Sequence, residues 1–265
     1  MLALEIVTMI AIQRRCFWNI ATAVLFVGVP TLCSAQDKGP TWMRFQTNRI
    51  KPEMRAEYEG YVKQISAGYK KVGVPFFVIY QNYAGDINEY TGVLPIMKFA
   101  EMDGPNPLTK VMGEEGLANL LRSMNNCVVS QTRYFAIPQD DLMINKGQFG
   151  ALWVQTRTVV ANGKMDDYMN WMKNDYKPAL EKAGVTQFRA ARPIFGAPSN
   201  NMVESIRLLK DFAEIDGGPI LNQKLGADAV RALNAKVSGI VQGTRITIIR
   251  MRPDLSYMGA VTGTN

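Results

Sequence analysis

A chain of 265 residues, 47% hydrophobic and 20% charged, carries enough apolar material for a large core, which excludes a disordered protein. The net charge of +7 is spread over scattered Lys and Arg with no dense basic run, so nucleic acid is not an expected partner. Histidine is absent, which excludes Ser-His and Cys-His nucleophile pairs, histidine-ligated zinc and histidine-ligated haem.

Arg14-Arg15 precede an apolar run over residues 16–29, followed by Pro30 and the small residues Cys33-Ser34-Ala35. A positive flank, an apolar middle and a small-residue exit predict a signal peptide over residues 1–35, with Met9 as an alternative start. A periplasmic or extracellular location follows. The run is shorter than the ~20 residues of a membrane span, so no anchor is expected after cleavage. The mature chain, opening with residues 36–40, keeps Cys127 alone of three cysteines, and a buried small hydrophobe is expected there.

The first half covers residues 41–139. Residues 42–48 alternate as a strand does. Pro52-Glu53 then open a helix, with the proline at its first position and the acid at the positive dipole end. Met54, Tyr58, Tyr61, Ile65 and Tyr69 form one apolar stripe on it, and Gly73 is placed to end it in a left-handed conformation. Residues 76–83 and 90–99 read as strands around the turn Ala84-Gly85-Asp86, with Pro95 marking an edge or a bulge. A helix near residues 114–124 and a strand over 128–137 complete the half.

Residues 140–148 read as a linker, residues 149–255 repeat the same order, and residues 256–265 form a tail. The repeat shows as recurring residues. Trp153 follows Trp42 by 111 residues, and the same offset relates Thr47 to Thr158, Met54 to Met165, Lys71 to Lys182 and Gly73 to Gly184. After a two-residue insertion the offset becomes 113, relating Phe99 to Phe212, Leu108 to Leu221 and Gly113 to Gly226, and Thr132-Arg133 answers Thr244-Arg245. A register held across a helix, a hairpin and a loop points to duplication.

Strand, helix, strand, strand, helix, strand is the ferredoxin-like unit, four antiparallel strands with two helices on one face. Two copies can bury their open faces against each other, giving an α+β fold that closes as an intrachain barrel. At this point the chain resembles the dimeric α+β barrel superfamily, in particular its antibiotic-biosynthesis-monooxygenase-like and NIPSNAP-like domains, fused in tandem over about residues 41–255. The matching features are the Trp-bearing first strand, Pro52-Glu53-Met54 or Gly163-Lys164-Met165 opening the first helix, and the Gly-Val pair ending it.

Strand alternation predicts that Met43, Phe45 and Thr47 face the helices and that Trp42, Arg44, Gln46 and Asn48 face the other copy. The equivalents in the second half are Trp153, Gln155, Arg157 and Val159, with Tyr80, Arg133, Tyr134, Arg189 and Arg245 around them. The candidate ligand-binding set is Trp42, Arg44, Asn48, Tyr80, Arg133, Trp153, Arg157, Arg189 and Arg245. Enclosed Trp, Tyr and Arg suit a flat organic anion. Against this, the tryptophans can fill the barrel and the arginines can pair with Glu89 or Glu204. The acids Glu101-Asp103 and Glu214-Asp216 fit capping and turns, and neither a metal nor a cofactor is expected. Three readings stay open. One is an exported protein binding a small aromatic or anionic molecule in the barrel. The superfamily resemblance implies a second, a cofactor-independent monooxygenase acting on an aromatic substrate. The third is a structural protein with a filled barrel. Oligomeric state stays open as well.

Overall fold

The computed structural model describes residues 42–146, 149–199 and 201–259, all within one compact unit; the expected signal peptide lies outside them. The first half consists of β1 (Trp42–Ile50), α1 (Arg55–Lys71), β2 (Phe76–Asn82), β3 (Glu89–Ile96), α2 (Thr109–Met112), α3 (Glu114–Asn126) and β4 (Val128–Pro138). The short strand β5 (Ile144–Asn145) leads to β6 (Leu152–Val160), α4 (Met165–Trp171), a π-helical turn (Met172–Tyr176) and α5 (Lys177–Lys182). Then follow β7 (Gln187–Phe195), β8 (Met202–Leu209), α6 (Ala213–Asp216), α7 (Ile220–Leu225), α8 (Ala227–Ala235), β9 (Val241–Met251) and β10 (Tyr257–Met258).

Helix α1 forms as its apolar stripe requires. Tyr58, Val62, Ile65 and Tyr69 are buried, Met54 and Tyr61 pack beside them, and Gly73 closes the helix at φ 77°. Lys70 and Lys71 occupy the last turn, where the dipole favours cations. Pro95 lies at a local edge, because β2 pairs with β3 only from Val78↔Val93 to Gln81↔Tyr90. Cys127 is fully buried at the end of α3 and donates its thiol hydrogen to the Ser123 carbonyl at 3.5 Å.

The strands run in the order β2-β3-β1-β4-β7-β8-β6-β9, and β2 pairs with β9 to close an eight-stranded antiparallel barrel. Each half contributes four adjacent strands. The fold is therefore the expected α+β barrel of two ferredoxin-like units, with helices outside and a shared interior. Two seams join the halves: Phe135↔Phe195 to Pro138↔Ala191, and Tyr80↔Met251 to Asn82↔Ile249. Beyond each seam the chain latches onto the opposite half. β5 pairs with β7 and β10 with β2, while the fully buried Leu142 enters the second core and Leu255 the first. The described part of the expected linker is thus packed structure.

The seam between β4 and β7 supplies one prediction. Gly196 sits at φ 77°, and a Cβ there would lie 2.6 Å from the Arg133 carbonyl oxygen. Gly196→Ala combines left-handed strain with a backbone clash, so it is expected to cost about 2 kcal/mol, read as a lowered urea midpoint.

The two halves correct the expected register. Ile50 N–H donates to the Asn88 carbonyl (3.0 Å) as Val160 N–H does to that of Asn201 (2.7 Å), and Lys51 to Cys127 (2.9 Å) as Ala161 to Ile240 (2.8 Å). These pairs are 110 residues apart, not 111. After the π-helical turn the offset is 111, with Val74 N–H on the Tyr69 carbonyl (3.1 Å) matching Val185 on that of Leu180 (3.0 Å). The extra residue is absorbed in that turn, a common form of single-residue insertion in a helix. A one-residue slip moves every strand side chain to the opposite face. The twin of Trp153 is therefore Met43, and that of Trp42 is Leu152. Along β9 the twin of Thr132 is Arg245, and that of Arg133 is Ile246, one position beyond the expected match.

Candidate functional site

The face assignment of β1 is consequently reversed. Arg44, Gln46 and Asn48 face helices α1 and α3, while Met43 and Phe45 point into the barrel. Between this outer face and the helices lies a cleft of about 210 Å³. Its depth is apolar, with Val62, Ile65, Phe77, Ile79 and Leu94 on the walls, and Asn48, Tyr58, Gln131, Gln46 and Arg133 are joined by hydrogen bonds, apart from the Arg44–Tyr69 pair. Asn48, 4% exposed, donates from Nδ2 to the Tyr58 hydroxyl (2.8 Å) and accepts from Gln131 Nε2 at Oδ1 (2.9 Å). Burial pushes the Tyr58 pKa up to about 12 against the opposing bond from Asn48, so Tyr58 stays a neutral phenol.

Two arginines complete the cleft. Arg133 donates to Gln46 Oε1 from Nε (3.2 Å) and Nη2 (2.9 Å), and Arg44 donates to the Tyr69 hydroxyl (3.3 Å). Among the described residues neither has a carboxylate within ion-pair distance. Burial, and then the charge of Arg44, lower the Arg133 pKa. Two like charges thus stand at the mouth of an apolar slot with no acid between them among the described residues, an arrangement with the charge and shape to receive an anion.

The matching region of the second half is filled. Tyr168 repeats Tyr58, its hydroxyl bonded to Thr158 where Asn48 stands in the first half, and burial takes its pKa to about 12. Val154 and Ile246 occupy the positions of Arg44 and Arg133. The π-helical turn brings Tyr176 to the position of Ile65, and Trp171 replaces Tyr61. The Trp171 and Tyr176 rings stack at 5.0 Å, and Tyr176 meets Phe188 at 6.1 Å. Arg207 on this face is paired with Glu214, so no unpaired charge matches Arg44 or Arg133 among the described residues, and aromatic rings have come in. Of the two sheet–helix spaces, one has kept its polar groups and the other has become core.

Inside the barrel, Glu204 is 5% exposed and fully engaged. It accepts from the Tyr134 hydroxyl (2.7 Å), Gln155 Nε2 (2.7 Å) and Arg157 Nε (3.0 Å). Burial works against the charge on Arg157, but Glu204 and Tyr134 outweigh it and hold the guanidinium pKa above its usual value. The twins of Arg157 and Glu204 are Thr47 and Thr91, whose hydroxyls share a 2.9 Å hydrogen bond. Beside this pair the barrel encloses a second, mostly apolar cavity of about 350 Å³, on whose wall lie Tyr80 and Arg189.

The nine expected residues therefore fall into separate places. Arg44, Asn48 and Arg133 share the outer cleft rather than the barrel. Tyr80 and Arg189 do meet in the barrel cavity. Arg157 is inside and paired with Glu204, and exposed Arg245 stands opposite it on β9, near Glu89. Trp153 is fully buried in the barrel, its Nε1 donating to the Gly150 carbonyl (2.9 Å). Trp42 is outside, against Phe99 (4.9 Å) and Phe195 (6.0 Å). Tyr58 and Gln131 were missed as cleft residues. Asn48-to-Tyr58 and Thr158-to-Tyr168 have the same spacing of ten, which was the available signal. Of the loop acids, Glu214 is paired with Arg207 and accepts from Lys210 N–H, a local structural role.

No protein-family model and no curated protein matches the chain. Solved structures do match in fold. A protein from Lactobacillus acidophilus NCFM described as a proposed monooxygenase aligns over 83% of this chain and 97% of its own, at 10% identity and a TM-score of 0.58. An anthrone oxidase-like protein aligns over 85% and 95%, also at 10% identity and 0.58. A variant of the chlorite dismutase from Candidatus Nitrospira defluvii aligns over 82% and 94%, at 7% identity and 0.54. What these likenesses establish is the architecture: the chain has the dimeric α+β barrel fold, with both halves in one polypeptide.

Proposed function

We propose that the protein binds a small, flat aromatic anion in the outer cleft of its first half, and that the mature chain does so outside the cytoplasm. The observation carrying this reading is the contrast between twins: Arg44 and Arg133 stand unpaired by acids over an apolar slot, where the second half has Val154 and Ile246 over packed rings. An aromatic body would lie against Phe77, Ile79 and Leu94, and its phenolate or carboxylate would meet the two guanidinium groups. The test is titration with a dihydroxyanthraquinone, followed by its absorbance shift. Arg44→Met with Arg133→Met is expected to weaken binding about tenfold or more, two charge-assisted hydrogen bonds being lost. Unchanged affinity in the double variant, or no shift with the wild type, refutes the site. Fractionation of expressing cells checks the export half of the proposal, which predicts mature protein beginning near Gln36.

A second reading, favoured by the same cleft, is oxygenation without a cofactor, and two fold neighbours carry oxygenase or oxidase names. A bound reduced polycyclic phenol would lose two ring hydrogens to O₂, one oxygen becoming a carbonyl and the other leaving as water. The arginines would stabilise the substrate anion that reacts, and Asn48 with Tyr58 would fix its orientation. Incubating the protein with such a phenol under oxygen decides it: quinone formed faster than in the Arg44→Met, Arg133→Met variant supports catalysis, and equal rates leave binding alone.

A further inference from the structure

We infer that the barrel interior is a second, separate binding chamber that takes a carboxylate carried on a flat apolar body. The cavity of about 350 Å³ is walled by Met43, Phe45, Val78, Val93 and Ile206. That volume lies in the range of small-molecule sites, and its walls are mostly apolar. It exists because the halves differ. The twin of Trp153, which fills its side of the barrel, is the slimmer Met43, and the twin of Arg189 is Val78.

Among the described residues Arg189 is the one arginine lining the chamber. Its Nη1 donates to Met143 Sδ at 2.9 Å and its Nη2 to Asn145 Oδ1 at 3.4 Å, both weak acceptor arrangements, and its Cζ lies 5.5 Å from the Phe149 ring centre. Among the described residues no carboxylate is within ion-pair distance of it. Glu204 also lines the cavity but is held by Arg157, Tyr134 and Gln155. Asp140 is exposed at the rim and acts on Arg189 only through space. Burial lowers the Arg189 pKa, yet a guanidinium starts so high that it stays charged.

Tyr80 is the second polar group. It is 8% exposed and lies on the cavity wall, and among the described residues its hydroxyl has no hydrogen-bond partner. Burial raises its pKa, so the phenol keeps its proton and remains a donor. The chamber thus presents a guanidinium and a phenol hydroxyl, both donors. Tyr80 donates to no acceptor among the described residues and Arg189 only to weak ones, and a carboxylate offers each of them a charged oxygen. One cation in an apolar box favours a monoanion with a ring body over a phosphate or a polyanion.

This inference does not depend on the outer cleft. The test is calorimetric titration of the intact protein with 2-naphthoate, and with its methyl ester as the uncharged control. Naphthoate is expected to bind, with the ester about tenfold weaker or worse. Arg189→Met is expected to weaken naphthoate about tenfold or more, and Tyr80→Phe about threefold. Met43→Trp, which copies the twin residue into the cavity, is expected to abolish binding, with near-UV circular dichroism confirming the fold. Because naphthoate also suits the outer cleft, these titrations are made in the Arg44→Met, Arg133→Met background, where the chamber is expected to remain as a binding site. Failure of naphthoate to bind at millimolar concentration overturns the inference, and so does equal affinity in that background with and without Arg189→Met or Met43→Trp.

Discussion

Glu204→Leu is expected to destabilise the protein by about 3–5 kcal/mol, the range for stripping one partner from a buried ion pair. The carboxylate sits inside the barrel at 5% exposure and holds three donors, from Tyr134, Gln155 and Arg157. Removing it leaves the Arg157 guanidinium, whose side chain is 22% exposed, without its counter-charge, and it strands the Tyr134 hydroxyl. Glu204→Gln keeps an acceptor for Tyr134 and should cost less. Adding Arg157→Met to Glu204→Leu should recover a large part of the loss, because the stranded charge disappears with it. Urea denaturation of the four proteins measures these differences. Equal stability of Glu204→Leu and the wild type would mean that the network contributes nothing.

The second large effect is expected at the seam between β2 and β9. Arg252 follows β9 and binds both oxygens of Glu59 on α1 (2.7 and 2.8 Å), both of Asp254 (2.9 and 2.8 Å) and Gln81 Oε1 (2.9 Å). Tyr90 also donates to Glu59 at 2.6 Å. One guanidinium therefore fastens the end of the second half to the first helix and second strand of the first half. The other seam has Gln139 at this position, whose side chain bonds, among the described residues, to the nearby Ile137 and Pro138 carbonyls. Arg252→Met should cost about 3 kcal/mol, since the pair with Glu59 is mostly buried and several charge-assisted hydrogen bonds go at once.

The same cluster gives acid sensitivity a sign. Arg252, through its hydrogen bonds, holds the carboxyl pKa values of Glu59 and Asp254 below their ordinary values of 4.5 and 3.8. Carboxyl groups with lowered folded values contribute stability that is complete above the ordinary values and is lost as the pH falls through the lowered ones. The wild-type melting temperature should therefore start to drop below about pH 4.5 and keep dropping below about pH 3.8. In Arg252→Met it should be lower at neutral pH and fall less steeply in acid. Parallel melting curves for the two proteins across this range would contradict the assignment.

The element order, the duplication and the closed barrel were legible in the sequence because each rests on many residues. The α1 stripe, the left-handed Gly73 and Gly184, and the hairpin turns all give local signals that agree. The inner and outer faces of β1 were not legible, for a reason of parity. The recurring Trp42 and Trp153 suggested an uninterrupted offset, but a helix can take in an extra residue as a π-helical turn and continue, whereas a strand read one residue out is turned inside out. Tyr58 and Tyr168, 110 residues apart, carried the correct register, outnumbered by coincidences at 111 such as Thr47 with Thr158. Arg189 was expected around the barrel interior and lines its cavity, whereas Arg133, expected there with it, lines the outer cleft. Glu204 was legible as a partner for an arginine, but its three-donor shell depends on β4 and β6 meeting β8 across the barrel.

Duplication left one open outer cleft and one filled one. The most direct measurement is a crystal structure of the protein grown with a dihydroxyanthraquinone. The expected result is ligand density between Arg44 and Arg133 over Phe77 and Leu94, with the Trp171 and Tyr176 rings of the second half still stacked and nothing beside them. Density beside displaced Trp171 and Tyr176 rings, with the Arg44 and Arg133 cleft vacant, would contradict it.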